Sequence, residues 1–252
     1  MKKRVCGFTL TELLAVSAVL IVFTAILSPV GWAVYRKSSL AISANNLRQL
    51  GAGMQSYLAD HRYHFWPYVS FPQDGSQWWF GWESMESVRG MEGKRSFDPG
   101  RGPLAGYIPA GLQPDPTFRF TGKAFKPKYA SGYLGVGYNV SLGGGWMGQQ
   151  PTLTLWDLSK PSEVVVFSTS AQVNTFQAPA TRRNPMIEEF YGIDPWEYTV
   201  HFRHDDHAMV IFANGSAGFL PMDRSTLDPR APAAKVGRFA PRGSTRYLLS
   251  PK

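Results

Sequence analysis

Leu13 to Tyr35 is a run of 23 residues without a charge, LLAVSAVLIVFTAILSPVGWAVY. Roughly 20 apolar residues in a helix cross the ~30 Å hydrocarbon core of a bilayer. The run is long for the apolar segment of a secretory signal, and no small-residue cleavage pattern closes it. It therefore predicts a retained membrane helix. Beyond Arg36 and Lys37 the apolar positions thin out but keep a helical period, at Leu40, Ala44, Leu47, Leu50, Met54, Tyr57 and Leu58. One helix from about Thr9 to Asp60 is expected, roughly 75 Å long at ~1.5 Å per residue. Its first half faces lipid and its second half is amphipathic.

Residues 61–130 lose the period. Tyr63, Trp66, Trp78, Trp79 and Trp82 crowd there among Pro and Gly. This predicts a loop-built subdomain that fills its core with aromatics; a stacking platform for sugar rings or bases is the alternative. Strand patterns follow. Tyr133–Val140 is a short strand-like run, and Pro161–Ser168 reads as a buried strand. Glu197–Arg203 alternates, and Ala208–Ala213 is apolar on both faces and so central. Asn214-Gly215 predicts a two-residue type I′ turn, with Ser216–Leu220 returning. The fold class is α+β: a long N-terminal helix whose amphipathic half packs on a C-terminal antiparallel sheet.

The net charge of +8 changes little once it is located. Lys2, Lys3 and Arg4 supply three charges and residues 223–252 a surplus of five, so the rest is neutral. Nothing resembles a basic nucleic-acid-binding domain, and the Pro-rich basic tail is expected to be a poorly ordered arm. Cys6 is the only cysteine, which excludes an intrachain disulfide and a multi-cysteine metal site. Gly143-Gly144-Gly145 is not followed by the Lys-Ser or Lys-Thr of a phosphate loop, and no Gly-x-Ser-x-Gly elbow occurs. His201, His204, Asp205, Asp206 and His207 are the one dense cluster of potential metal ligands. Asp and His are also ordinary turn residues, and a solvated turn is expected there, with no metal, cofactor or catalytic residue.

Two short segments carry a family resemblance. Met1-Lys-Lys-Arg-Val-Cys-Gly7 followed by Phe8-Thr-Leu-Thr-Glu12 resembles the prepilin-type signal of type IV pilins and type II secretion pseudopilins. There a basic leader ends in Gly, a Phe follows, and a Glu sits fifth in the mature chain. Pro29 also falls where many members have a helix-loosening proline. His204, nine residues and then Asn214-Gly215 resembles the H-x9-DG signature of a pseudopilin-like branch, with Asn for the usual Asp.

The resemblance implies a pilin-like fold, a prepilin peptidase that cuts between Gly7 and Phe8 and methylates the Phe8 amine, and an assembly role for Glu12. His204, Asn214 and Gly215 would be structural, with His204 orienting its loop by hydrogen bonding. The implied layout is a leader (1–7), a membrane helix (8–35), its amphipathic continuation (36–60), an extracytoplasmic domain (61–222) and a basic tail (223–252). The implied partners are the peptidase, other pilin or pseudopilin subunits and an inner-membrane assembly platform; nucleic acid is not expected. The product would be a secretion pseudopilus or a pilus-like filament, held by a single pass in the inner membrane. A DNA- or carbohydrate-binding minor pilin and a membrane-tethered hydrolase remain as other readings.

Overall fold

The computed structural model describes residues 9–109, 111–118, 122–130 and 134–242. The fold is α+β. The chain divides into two compact units, Met1–Ala41 and Ile42–Lys252.

The first unit carries the opening turns of α1 (Leu10–Asp60), which includes Pro29 in its interior. Its apolar side chains are exposed all round, from Leu10 through Leu20, Phe23 and Trp32 to Tyr35. The most apolar 18-residue window has a mean hydropathy of 2.5 and none of it is buried, so this helix is long and apolar enough to cross a membrane. Two of its hydroxyls are satisfied within the helix: Ser17 donates to the Leu13 carbonyl at 2.8 Å and Thr24 to the Leu20 carbonyl at 2.7 Å.

In the second unit the same helix becomes one-sided. Ser43, Leu47, Leu50, Met54 and Leu58 are buried at intervals of three and four, the stripe that one helix face presents to a core. Gly51 lets the helix approach the sheet closely, since a Cβ there would stand 3.2 Å from the Ile211 side chain.

Thirteen strands follow among the described residues. The first three, β1 (Val69–Ser70), β2 (Gly75–Trp78) and β3 (Gly81–Ser84), form an antiparallel sheet, closed by the single turn α2 (Met85–Val88). Next come β4 (Phe125–Lys126), β5 (Val136–Asn139), β6 (Val165–Thr169), β7 (Gln172–Asn174), β8 (Met186–Glu188) and β9 (Gly192–Ile193). The last four are β10 (Val200–His201), β11 (His207–Phe212), β12 (Ala217–Pro221) and β13 (Val236–Gly237). The main sheet has the order β12-β11-β6-β5-β9, β4-β8-β7 form a second sheet, and β10 pairs with β13.

Three sequence expectations need correction. The main sheet is mixed, not purely antiparallel, because β9 joins β5 in parallel, as β4 joins β8. The alternating 197–203 segment pairs only at Val200 and His201. The third concerns the basic C-terminal stretch, which packs as structure up to residue 242. Val236 lies on β13 and is fully buried, Thr226 and Asp228 are buried beside it, and Phe239 is 4 % exposed. Phe239 joins Val165, Val200, Phe202 and Val210 in one apolar cluster. Two of the bases that suggested disorder are closely paired, Arg230 with Asp228 at 2.6 Å and Lys235 with Asp206 at 2.5 Å.

The C-terminal stretch therefore closes the core. Phe239→Ala leaves a cavity against Phe202 and should destabilise the chain by about 3 kcal/mol in chemical denaturation. An unchanged midpoint would show that this stretch does not stabilise the fold.

Candidate functional site

Gly7 and Phe8 lie outside the described residues. Glu12 is described, and its setting is local. The Thr9 hydroxyl accepts the Glu12 N–H at 3.3 Å, while Glu12 Oε2 accepts the Thr9 N–H and its hydroxyl, each at 2.8 Å. Thr9-x-x-Glu12 is thus a reciprocal capping box that satisfies amides at the start of α1. The spacing was visible in the sequence, and it gives Glu12 a capping role that the resemblance did not imply. Because Oε2 takes both capping bonds, Oε1 lies outside the box.

The His204–Gly215 stretch frames β11. His204 and His207 exchange backbone hydrogen bonds of 3.1 and 3.0 Å, and Asp205 and Asp206 between them have φ of +48° and +61°. That is a two-residue turn of the I′ kind, so the type I′ turn expected at Asn214-Gly215 sits instead at the other end of the strand. At Asn214-Gly215 the last bonded pair is Phe212 with Ser216, leaving a three-residue loop in which Gly215 takes a φ of +85°. The Asn214 side-chain oxygen accepts from the Ser216 N–H at 3.0 Å and its hydroxyl at 2.7 Å. An Asp could accept both bonds equally, so the Asn changes nothing in the turn. The loop docks on α1, where Gln55 donates to the Ala213 carbonyl at 2.9 Å.

His204 does not orient its turn by side-chain hydrogen bonding. Its ring is buried near Phe219, Nε2 has no partner, and the backbone makes the bridge. Burial, reinforced by Arg203, pushes the His204 pKa down to about 4, and the same causes hold His201 well below its ordinary value. Both rings are neutral. Among the described residues no group of three His, Cys, Asp or Glu side chains is placed to hold a metal ion.

The aromatic segment is mostly core: Phe65, Trp66, Tyr68, Trp79 and Phe80 are each at most 5 % exposed. Trp66 stacks on Tyr138 with centroids 4.9 Å apart. Beside these rings lies a buried charge cluster that sequence reasoning missed. Glu83 on β3 receives a two-pronged bond from Arg95, both contacts at 2.8 Å, and accepts from Tyr129 at 3.2 Å. Lys126 on β4 is 1 % exposed and reaches Glu92 at 2.6 Å and Glu188 on β8 at 3.0 Å. Glu189 accepts the backbone N–H groups of Lys128 and Tyr129 at 2.9 and 2.8 Å, and its Oε2 has no partner.

Charges inside strand-like runs, as in Met186-Ile-Glu-Glu-Phe190, were the available signal, because buried carboxylates demand partners. Burial pushes Glu83 up, but the Arg95 guanidinium outweighs it and holds the carboxyl below its ordinary range. Glu189 has only backbone donors against that burial, and its pKa is pushed up to about 7.

Two measurements follow from these sites. Gly215→Val puts a β-branched residue at positive φ, with its Cβ 3.1 Å from Gln55, and should cost about 1–3 kcal/mol of stability by chemical denaturation. A variant as stable as the parent would exclude strain at that turn.

The second measurement concerns Glu189. Folded Glu189 keeps a proton that the unfolded chain releases near 4.5, so its contribution is whole below pH 4.5 and is lost as pH rises through about 7. The neutral Glu189→Gln should therefore gain on the parent by about 1–3 kcal/mol between roughly pH 5 and 8. A pH-independent difference would place the Glu189 titration at its ordinary value. Comparison with known proteins gave no match to a family model, to a curated protein or to a solved structure.

Proposed function

We propose that the chain is a pilin-like subunit of the pseudopilin kind, matured between Gly7 and Phe8 by a prepilin peptidase and assembled through the apolar half of α1 into a filament. The observation that carries this reading is the division of one unbroken helix, Leu10–Asp60. Apolar side chains are exposed all round it up to Tyr35, whereas from Ser43 onward one stripe is buried in a β-rich domain. A removable signal has no cause to continue into a domain's core.

A subunit stored in the bilayer and later packed among copies of itself does need such a helix. The same apolar surface is covered first by lipid and then by neighbouring helices. Lys2, Lys3 and Arg4 ahead of the span favour a cytoplasmic N-terminus, with the β-rich domain outside.

Glu12 is then asked to do two things. Its Oε2 closes the capping box, and Oε1 is available to the methylated Phe8 amine of a neighbouring subunit. In a bundle of low dielectric an unpaired ammonium or carboxylate is strongly disfavoured, and pairing offsets much of that cost.

Mass spectrometry of the mature chain tests the first step: Phe8 should be the N-terminal residue and N-methylated, and Gly7→Leu should retain the leader. A chain still starting at Met1, or cut after residue 30, would sink the assignment. Glu12→Gln keeps an acceptor for the Thr9 cap but removes the charge, while Glu12→Ala removes both. Both variants should be processed, and Glu12→Gln should lose assembled subunit about tenfold, the effect of roughly 1.4 kcal/mol per contact. Normal assembly of Glu12→Gln with failure of Glu12→Ala would assign Glu12 to capping alone.

A further inference from the structure

A cavity of about 120 Å³ opens beside the buried charge cluster, and the pilin-like reading does not use it. Its walls are the rings of Tyr68, Trp78, Phe80 and Phe190, and Arg95 and Lys128 supply its charge. The walls are held rigid from behind. Trp78 stacks on Phe80 with centroids 5.9 Å apart and donates to Glu83 at 3.1 Å. Tyr68 packs edge-on to both Trp78 and Trp146, and Trp146 is fixed to Asp194 at 2.6 Å.

The polar atoms at this cavity differ from those of the cluster behind it. Tyr68 is 5 % exposed, yet its hydroxyl makes no hydrogen bond among the described residues. Lys128 stands with its ammonium 3.7 Å from Glu188, beyond hydrogen-bond reach, and 5.6 Å from the Phe190 ring. The ammonium forms a loose ion pair with Glu188 but donates no hydrogen bond among the described residues. Lys126 holds the other Glu188 oxygen at 3.0 Å, whereas Oε1 has no hydrogen-bond partner and faces only the Lys128 ammonium. Arg95 is anchored by Glu83 and Glu92, and so presents a fixed positive edge.

All the ionised groups that line the cavity are cationic, and the ammonium and guanidinium only donate hydrogen bonds. Such a lining repels a cation and leaves an ammonium for an anionic acceptor. The aromatic walls in turn favour a flat or ring-shaped body. We propose that this cavity binds a small ring bearing a carboxylate, with the carboxylate on Lys128 and the Tyr68 hydroxyl and the ring against Trp78 and Phe190. A sugar acid and an aromatic acid share that chemistry, and the cavity is large enough for one ring, not for an oligomer.

Titration of the full-length chain in detergent micelles, followed by tryptophan fluorescence and by ligand-observed NMR, tests the site with glucuronate, benzoate and glucose as probes. Glucuronate or benzoate should bind saturably in the millimolar range, and glucose, which lacks the carboxylate, about tenfold more weakly or not at all. Glucuronate binding without benzoate identifies a sugar-acid site, and the reverse identifies an aromatic-acid site. Lys128→Gln should weaken the bound acid about tenfold. Tyr68→Phe, which keeps the packing and removes only the hydroxyl, should weaken it about threefold to tenfold. Failure of both acids to saturate, or parental affinity in both variants, would overturn the proposal. If Lys128→Gln does not fold, Tyr68→Phe decides alone.

Discussion

The buried carboxylate of Asp115 is the point on which the β-rich domain turns. It accepts from the Ser43 hydroxyl on α1, from the backbone N–H of Thr117 at 2.8 Å and its hydroxyl at 2.6 Å, and from the Arg203 guanidinium that follows β10. Arg203 also donates to the Gly135 carbonyl at 2.7 Å, just before β5. One ion pair thus joins the helix, the 111–118 segment and two sheets. Burial works against the charge, yet Arg203 and the hydroxyls hold the Asp115 pKa down to about 2. Replacing one partner of such a pair leaves the other charged and dry, at a cost of about 3–5 kcal/mol. The same guanidinium helps to keep His201 and His204 neutral, and both rings are packed as buried residues.

A second ionic centre obeys the same rule with a different outcome. Around β3, β4 and β8, four carboxylates (Glu83, Glu92, Glu188 and Glu189) meet three cations (Arg95, Lys126 and Lys128). An apolar surround tolerates a balanced cluster far better than a surplus charge. The imbalance falls on Glu189, the carboxylate without a cation of its own, which keeps its proton up to about pH 7. With that proton in place the charges cancel. The cluster holds the 125–130 segment against β8, so the loop carrying Lys128 and Tyr129 is positioned by electrostatics more than by regular strand pairing.

What could be read from the sequence was what repeats locally. The helix and its buried stripe follow from spacing alone, and β11 from an apolar run bounded by turn residues. The choice between the two turns was not local. Asp205-Asp206 and Asn214-Gly215 both accept positive φ, but the register that pairs Ile211 with Ala217 forces three residues into the second loop. The C-terminal stretch misled because Pro and Arg dominate its composition, whereas its packing rests on a few residues, Val236 and Phe239 above all. Neither ionic centre has a periodic signature. Ser43, Asp115 and Arg203 come together only when the chain is folded, and the polar Ser43 in a mostly apolar stripe was the local hint of that first centre.

The capping box bears on how a helix apolar enough to cross a membrane can begin with a carboxylate at all. Glu12 in an apolar run is costly unless its oxygens are engaged, and the Thr9 amide and hydroxyl engage one of them within the same chain. The first-turn amides of a helix carry partial positive charge, so a carboxylate there is favoured by the peptide dipoles as well as by the two bonds. On the proposed reading, a single subunit in the bilayer would have Glu12 partly compensated before any neighbour arrived. In the proposed filament the partner amine then completes the compensation and need not supply all of it. The driving force for register becomes the difference between a capped and a capped-and-paired carboxylate, smaller than full desolvation and hence compatible with subunits that exchange between membrane and filament.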